Sequence, residues 1–83
     1  MKHCVRVEVS LKAGHSDPEG ETTAHLLKEL GYRVQTVDVS KVYSLVVETD
    51  SRKQALSDAE EMCKRLLANP TKDNYTISIE EHR

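Results

Sequence analysis

The sequence predicts an α+β protein in which a four-stranded antiparallel sheet carries two helices on one face. Three observations support this prediction. Four stretches alternate apolar and polar residues, as half-buried strands do, and two longer stretches repeat apolar residues at helical spacing. Their order along the chain is β-α-β-β-α-β, and right-handed crossovers in each half place both helices on the same side of the sheet.

The first strand and the first helix have clear boundaries. The alternating apolar residues of the strand are Val5, Val7, Val9 and Leu11. Asp17 is a suitable N-cap for the helix, Pro18 suits its first position, and Gly31 suits the position just after its end. The helix residues expected to be buried are Thr23, Leu26, Leu27 and Leu30.

Two short strands are predicted next, joined by a tight turn at Ser40 and Lys41. The apolar residues of these two strands are Val37 and Val39, then Tyr43, Leu45 and Val47. The pair would form a hairpin and supply the second and third strands of the sheet.

A second helix and a last strand complete the pattern. Ser51 and Gln54 match a capping box, and Pro70 stops the helix. The apolar face of this helix comprises Ala55, Leu56, Ala59, Met62, Cys63, Leu66 and Leu67. Tyr75, Ile77 and Ile79 then alternate with polar residues as a strand. The whole arrangement is ferredoxin-like, with a half-polar outer sheet face suited to a partner or a second protomer.

Length and composition limit the functions that can be expected of the chain. The chain has 83 residues, one domain over residues 1–83, with 37% apolar residues and no Phe or Trp. So thin a core favours self-association. A net charge of −2 gives no field that attracts nucleic acid. The sequence shows no apolar leader and no membrane-spanning stretch, so a cytoplasmic protein is expected.

Catalytic and ligand-binding patterns are absent from the sequence. The loop before the first helix carries Asp17, Glu19 and Glu21, which would repel a phosphate. The outward positions of the first strand, Arg6 and Glu8 among them, offer no aromatic surface for RNA. No nucleophile–base pair or paired carboxylate is recognisable.

The histidines and cysteines are expected to occupy ordinary structural positions. His3, Cys4 and His82 could approach one another, but alternation separates the first two, so no metal site is expected. His15 and His25 are expected in a loop and on a solvated helix face. Cys63 is expected to be a small buried apolar residue.

Several segments together resemble one family. They are VSLK (Val9 to Lys12), DPEG (Asp17 to Gly20), LGY (Leu30 to Tyr32), Lys41 between two strands, and MCKRLLANP (Met62 to Pro70) with Tyr75 beyond. In this order and spacing they are similar to the PurS family, the small subunits of phosphoribosylformylglycinamidine (FGAM) synthase, over nearly the whole chain.

The resemblance implies a non-catalytic bridging subunit in de novo purine synthesis. In that system a PurL synthetase phosphorylates the amide of formylglycinamide ribonucleotide with ATP, and a PurQ glutaminase releases ammonia from glutamine. PurS joins the two and associates with itself as a dimer or tetramer. The implied subunit binds no cofactor or metal of its own, since ATP and Mg²⁺ are bound by the synthetase.

The family motifs also indicate which residues would contact partners. These candidates are Asp17, Pro18, Glu19, Gly20, Lys41, Asn69 and Pro70. Three positions depart from the family pattern. Ser40 replaces a usual Gly, Thr23 replaces a larger aliphatic residue, and His15 replaces an apolar one.

Gly20 has two interpretations. Its bare backbone could let a partner chain lie against the first turn of the helix, or the packing around that turn could itself require glycine. A different functional class, the ACT-type regulatory module that binds amino acids, has the same element order, and Gly14 could stand where such modules carry their ligand loop.

Overall fold

The computed structural model, which describes residues 1–80, contains a three-stranded antiparallel sheet, two helices and a π-helical turn. Its elements are β1 (Lys2–Leu11), α1 (Pro18–Glu29), β2 (Lys41–Glu48), α2 (Arg52–Met62), a π turn (Cys63–Leu67) and β3 (Asp73–Glu80). The strand order is β2-β1-β3. The antiparallel α+β architecture expected from the sequence is therefore present.

The central strand β1 organises the core. Val7 lies opposite Tyr43 of β2 and Ile77 of β3, so all three strands present apolar side chains to one face. Val5 and Val7 are almost completely buried there. The alternation predicted from the sequence is confirmed for these three strands because each has a partner that fixes its register.

Helix α2 covers the core face of β1 and β3. Ser51 caps it as predicted, since the Ser51 hydroxyl accepts a hydrogen bond from the Gln54 N–H at 3.1 Å. Ala55, Ala59 and Cys63 are fully buried against the sheet. Their small side chains let the helix approach the strands closely.

The π turn changes the face that the end of α2 presents. The Ala68 N–H donates to the Cys63 carbonyl at 3.0 Å, a bond that spans five residues instead of four. The extra residue rotates the following side chains, so Ala68 is buried while Leu66 is 82% exposed. The expectation that Leu66 lies on the buried face is wrong for this reason, and Met62 and Leu56 are also substantially exposed.

The predicted strand at Val37 and Val39 is not part of the sheet, so the sheet has three strands over the described residues and the four-stranded prediction is wrong there. The favoured turns of a two-residue hairpin, types I′ and II′, require positive φ within the loop. No non-glycine residue from 1 to 80 has one. The chain therefore passes through Ser40 and Lys41 without reversing direction.

The side-chain pattern also explains the missing turn. In a two-residue hairpin closed by Ser40 and Lys41, Val39 would lie opposite Val42 and face away from the side of Tyr43. Instead, the half-buried positions of this region all have odd numbers, which is the pattern of one extended run. They are Val37, Val39, Tyr43, Leu45 and Val47.

Helix α1 has the predicted ends but not the predicted packing. Gly31 has a φ of +99°, and its N–H bonds to the Lys28 carbonyl at 2.9 Å in the usual glycine C-terminal motif. The buried residues of α1 are Gly20 and Ala24, while Leu26 and Leu30 are 53% and 73% exposed. The prediction that both helices cover the same sheet face is wrong because α1 packs on residues that follow it instead of on the strands.

Residues 17–40, here called the arm, therefore extend from the sheet. The radius of gyration is 16.2 Å. A compact chain of this length would have a value of about 12 Å. The principal extents of 51, 32 and 14 Å describe a long, thin molecule.

Candidate partner-binding site

Most of the predicted partner-binding residues lie at one end of the sheet, where β1 ends and β2 begins. The Lys12 N–H donates to the Lys72 carbonyl at 2.7 Å, and the Lys12 ammonium donates to the Pro70 carbonyl at 3.1 Å. These bonds hold the loop before β3 beside the loop that leads to α1. The sequence motifs, far apart along the chain, thus converge on one region.

Between these loops lies a cavity of about 240 Å³, here called the charged groove. Its charged lining residues are Asp17, Glu19, Lys41, Lys72 and Asp73. Three of the seven candidate residues therefore share one surface. The groove therefore carries both acidic and basic side chains.

Asp17 is used within the chain. Its carboxylate accepts hydrogen bonds from the Gly20 N–H at 3.0 Å and the Val39 N–H at 2.9 Å. These two bonds, Gly20 first, lower the pKa of Asp17 below its ordinary value. The predicted N-cap is confirmed, and the same carboxylate also fastens the end of the arm to the start of its helix.

Gly20 is buried beneath the chain's own backbone. A Cβ atom built on Gly20 would lie 2.2 Å from the Val37 carbonyl oxygen, a distance that real Cβ contacts do not reach. The packing interpretation of this glycine is therefore the one that the geometry supports. The backbone that approaches Gly20 is that of Val37, which belongs to the same arm.

Pro18 and Glu19 open the first turn of α1 as predicted, with Pro at the start and acidic side chains near the positive end of the helix dipole. The Glu19 carbonyl accepts the Thr23 hydroxyl at 2.9 Å. This bond satisfies the polar group that replaces an aliphatic side chain. Within residues 1–80, the carboxylate of Glu19 forms no ion pair, so it is available to a partner.

Lys41 begins β2 opposite Val9. Its side chain is exposed and has no carboxylate partner among the described residues. The neighbouring Ser40 hydroxyl donates to the Glu8 carboxylate at 2.8 Å. Ser40 thereby anchors the arm to the outer side of β1, a bond that a glycine could not supply.

Asn69 and Pro70 form the turn before β3. The Asn69 side-chain oxygen accepts the Thr71 N–H at 2.9 Å, and the Asp73 carboxylate accepts the Asn69 N–H at 2.8 Å. Asn69 is thus committed to turn geometry, whereas Pro70 is exposed and lines a different cavity from the charged groove. Contact of either residue with a partner stays a prediction.

The remaining titratable groups have structural surroundings. Cys63 is fully buried, and burial with the nearby Glu60 charge raises the pKa of its thiol. The Tyr75 hydroxyl donates to the Glu60 carboxylate, which raises the pKa of Tyr75 to about 12. Neither group is activated for chemistry at neutral pH.

The possible metal ligands do not converge. Over residues 1–80 no three His, Cys, Asp or Glu side chains come together in a way that could hold a metal ion. His3 is buried on the core face, Cys4 is half-buried on the other, and His82 lies outside the described residues. His25 is exposed and lies 3.0 Å from the Glu29 carboxylate, and His15 lies in an exposed loop.

Sequence reasoning missed the exposed apolar surface of the arm and of α2. Leu30, Tyr32 and Leu66 are each more than 60% exposed. The odd-numbered run from Val37 to Val47 carried a signal of the open arm. No local signal marked the π turn that exposes Leu66.

Two further features concern the competing functions. Gly14 has a φ of +89°, and no atom lies within 4 Å of the position of its absent Cβ. Its loop lines an open cavity of about 600 Å³, to which Gly14, His15 and Asp38 contribute. No helix within residues 1–80 is long and apolar enough to cross a membrane.

Comparison with known proteins identifies close relatives of the whole chain. The profile of the family described as "PurS: Phosphoribosylformylglycinamidine (FGAM) synthase" matches residues 4–81. The PurS subunit of FGAM synthase from Methanothermobacter thermautotrophicus is 38% identical over 81 residues, which cover 98% of this chain and 96% of the relative. The Archaeoglobus fulgidus PurS subunit is 44% identical over 72 residues, 86% and 90% of the two chains.

Solved structures agree with the sequence matches. The crystal structure of Methanocaldococcus jannaschii PurS superposes with a TM-score of 0.85 at 33% identity and covers all of both chains. A chain of the structure described as PurLQS from Thermotoga maritima gives a TM-score of 0.88 at 26% identity, over 96% of this chain and 99% of that chain.

Proposed function

Because the chain belongs to the PurS family of FGAM synthase subunits, we propose that it joins a PurL-type synthetase to a PurQ-type glutaminase. The complex would convert formylglycinamide ribonucleotide, ATP and glutamine to FGAM. This chain would support assembly and ammonia transfer and would contribute no catalytic residue. Its 83 residues would act as a single unit.

The similarity to the Thermotoga maritima PurLQS structure supports this proposal most strongly. The matching chain there belongs to a three-component assembly by its description, and this chain covers 99% of it. The two chains therefore share their fold over the full length that such an assembly uses.

The charged groove is the surface that we assign to a larger subunit. Glu19 and Lys41 line it, and neither has an ion-pair partner within residues 1–80. Asp17 lines it as well, and the Asn69 N–H donates to the Asp73 carboxylate in its wall, whereas Gly20 and Pro70 line neighbouring cavities. Charged side chains without an ion-pair partner, such as those of Glu19 and Lys41, can bind a partner surface of complementary charge.

The test is reconstitution of the complex. Tagged synthetase and glutaminase should retain the wild-type chain together, and Lys41→Glu should weaken retention because it adds a fourth carboxylate to those of Asp17, Glu19 and Asp73. Lys53→Glu is the matched control, since Lys53 is an exposed lysine at the start of α2, at the other end of the sheet.

Failure of the wild-type chain to bind both subunits would overturn the proposed function. Equal retention of the Lys41→Glu and Lys53→Glu variants would overturn only the assignment of the groove.

Self-association is the second part of the proposal. The arm carries Leu26, Leu30 and Tyr32 largely exposed, and the molecule is far more extended than a compact chain of its length. Exposed apolar groups on both the arm and α2 are typical of a subunit whose partner covers them.

Three further properties remain proposals. We expect no cofactor or metal in this subunit, with ATP and Mg²⁺ bound by the synthetase, no affinity for nucleic acid, and a cytoplasmic location. Titration calorimetry of the isolated chain with magnesium and ATP should detect no binding.

A further inference from the structure

A chain that joins two larger subunits needs two binding surfaces, and strand β3 offers one apart from the charged groove. β3 forms an edge of the sheet, with β1 as its single neighbour. Its register with β1 continues from Asp73 to Glu80 without a bulge, and neither proline nor lysine occurs in it. Native sheets usually protect an open edge with such features. The edge of β3 is therefore ready to pair with a strand of another chain.

Alternate residues of β3 direct their backbone groups to this open edge. The Lys12 N–H donates to the Lys72 carbonyl, so positions 12 and 72 form a hydrogen-bonded pair of the antiparallel ladder. Such pairs recur at every second residue, so the even-numbered residues of β3 bond to β1. The odd-numbered residues after Asp73 point their N–H and C=O groups away from β1. They are Tyr75, Ile77 and Ile79.

A cavity of about 570 Å³, here called the edge pocket, lies beside the start of the same edge. Its apolar lining residues are Cys63, Ala68, Pro70 and Tyr75. Because Tyr75 lies on the core face, a strand paired with β3 would direct the side chain opposite Tyr75 to that face as well. An open edge for backbone bonds and a pocket for an alternate side chain are the two parts of a strand-addition site.

The charges along the edge indicate the chemistry of the segment that fits. Lys12 and Lys64 both line the edge pocket. The Lys12 ammonium donates to a carbonyl oxygen and has no carboxylate partner within residues 1–80, and the Lys64 ammonium lies 3.9 Å from the Glu60 carboxylate. At the far end of β3, Glu80 forms no ion pair with another described residue. A complementary segment is acidic at the pocket end and basic at the other.

We propose that an extended segment of one larger subunit pairs with the open edge of β3. Its backbone bonds to the outward groups of Tyr75, Ile77 and Ile79. One apolar side chain of the segment enters the edge pocket, and a neighbouring carboxylate lies near Lys12 and Lys64. This inference rests on the proposed bridging function and assigns the β3 edge to the subunit that does not occupy the charged groove.

A larger subunit fits this edge better than a second copy of β3. The strand carries carboxylates near both ends, at Asp73 and Glu80, and contains no Lys or Arg. A second copy would therefore offer no basic group to Glu80. The exposed apolar side chains proposed above for self-association lie on the arm and on the outer side of α2, away from this edge.

Charge reversal at Lys64 tests the edge pocket. Lys64→Glu should weaken retention by about fivefold because it replaces an attraction by a repulsion at an exposed site. Lys53→Glu, at an exposed lysine of α2, is the matched control. With the synthetase and the glutaminase tagged in turn, Lys64→Glu and Lys41→Glu should release different subunits. Release of the same subunit by both variants, or equal retention of Lys64→Glu and Lys53→Glu, would overturn the proposal.

Amide hydrogen exchange, quenched and then read for each residue by NMR, tests the backbone pairing. In the isolated full-length chain the amides of Tyr75, Ile77 and Ile79 should exchange rapidly. In the complex with both larger subunits they should slow by about tenfold or more, because a ladder hydrogen bond must open before exchange. The amides of Thr76 and Ser78, which bond to β1, are the internal control and should be protected in both states.

Protection of the outward amides in the isolated chain would assign the edge to a second copy and overturn the proposal. Rapid exchange of these amides in a complex that retains the chain would also overturn it and would leave the bridging function intact. A chain that neither larger subunit retains would overturn both.

Discussion

At the first turn of α1, two residues hold the arm together. The Asp17 carboxylate reaches the backbone of Gly20 and Val39 at once, and Gly20 leaves room for the Val37 carbonyl. The sequence predicted the cap at Asp17 because capping depends on residues three positions apart. It could not predict the bond to Val39, which is 22 positions away and depends on the path of the arm.

Replacing Gly20 with Val should destabilise the protein. The new Cβ would lie 2.2 Å from the Val37 oxygen, so the backbone at Val37 must move away. Overpacking of this kind costs about 1–3 kcal/mol. Urea denaturation at fixed protein concentration measures the loss. Thr22→Val, at an exposed site in the same helix, is the control, and equal free energies of unfolding for the two variants would contradict the packing account.

Protonation of Asp17 should release the same contact. Because its folded-state pKa lies below the ordinary value of 3.8, the carboxylate stabilises the folded state fully above that value. The stabilisation is lost as pH falls through the lowered pKa. Asp17→Asn lacks this titration, so the difference in stability between wild type and variant should shrink in acid. A difference that stays constant with pH would contradict the assignment.

Among the elements, the sequence predicted best those that pair with a strand or pack on the sheet. β1, β3 and α2 fall in this group, because pattern and packing agree in them. The segment from 33 to 40 has strand-like alternation, but a strand exists only where another strand pairs with it. The parity of Val39 and Tyr43 indicated that the turn between them would not form. The π turn at Cys63 left no trace in the pattern, since it depends on how α2 meets the sheet.

The candidate site was predictable only in part, for the same reason. Short motifs identified Asp17, Glu19 and Lys41, and the fold brings them to one groove. The use of Gly20 depends on the approach of the Val37 carbonyl, which no local pattern contains. The bonds of Asn69, in contrast, are to Thr71 and Asp73 in its own turn.

On the scale of the whole molecule, stability should depend on protein concentration. The core of a single chain is small, and exposed leucines lie on both the arm and α2. Anything that binds only the folded state raises its melting temperature in proportion to the logarithm of its concentration, and here the binding species is the chain itself. Calorimetric scans over a dilution series should show the melting temperature falling on dilution, and Leu30→Asp should remove the dependence. A wild-type melting temperature that is independent of concentration would contradict self-association.

The position of β1 at the centre of the sheet also governs how the chain matures during synthesis. Cys4 pairs with Glu80, so β1 leaves the ribosome before both of its neighbours and pairs with β3 only after β2 is available. Until α2 and β3 emerge, the valines of β1 have no cover on the core face, whereas the contacts of the arm lie within 22 residues and form early. The contacts of the arm can therefore form before the core is complete, and slow translation of α2 and β3 would prolong the stage that is most prone to aggregation.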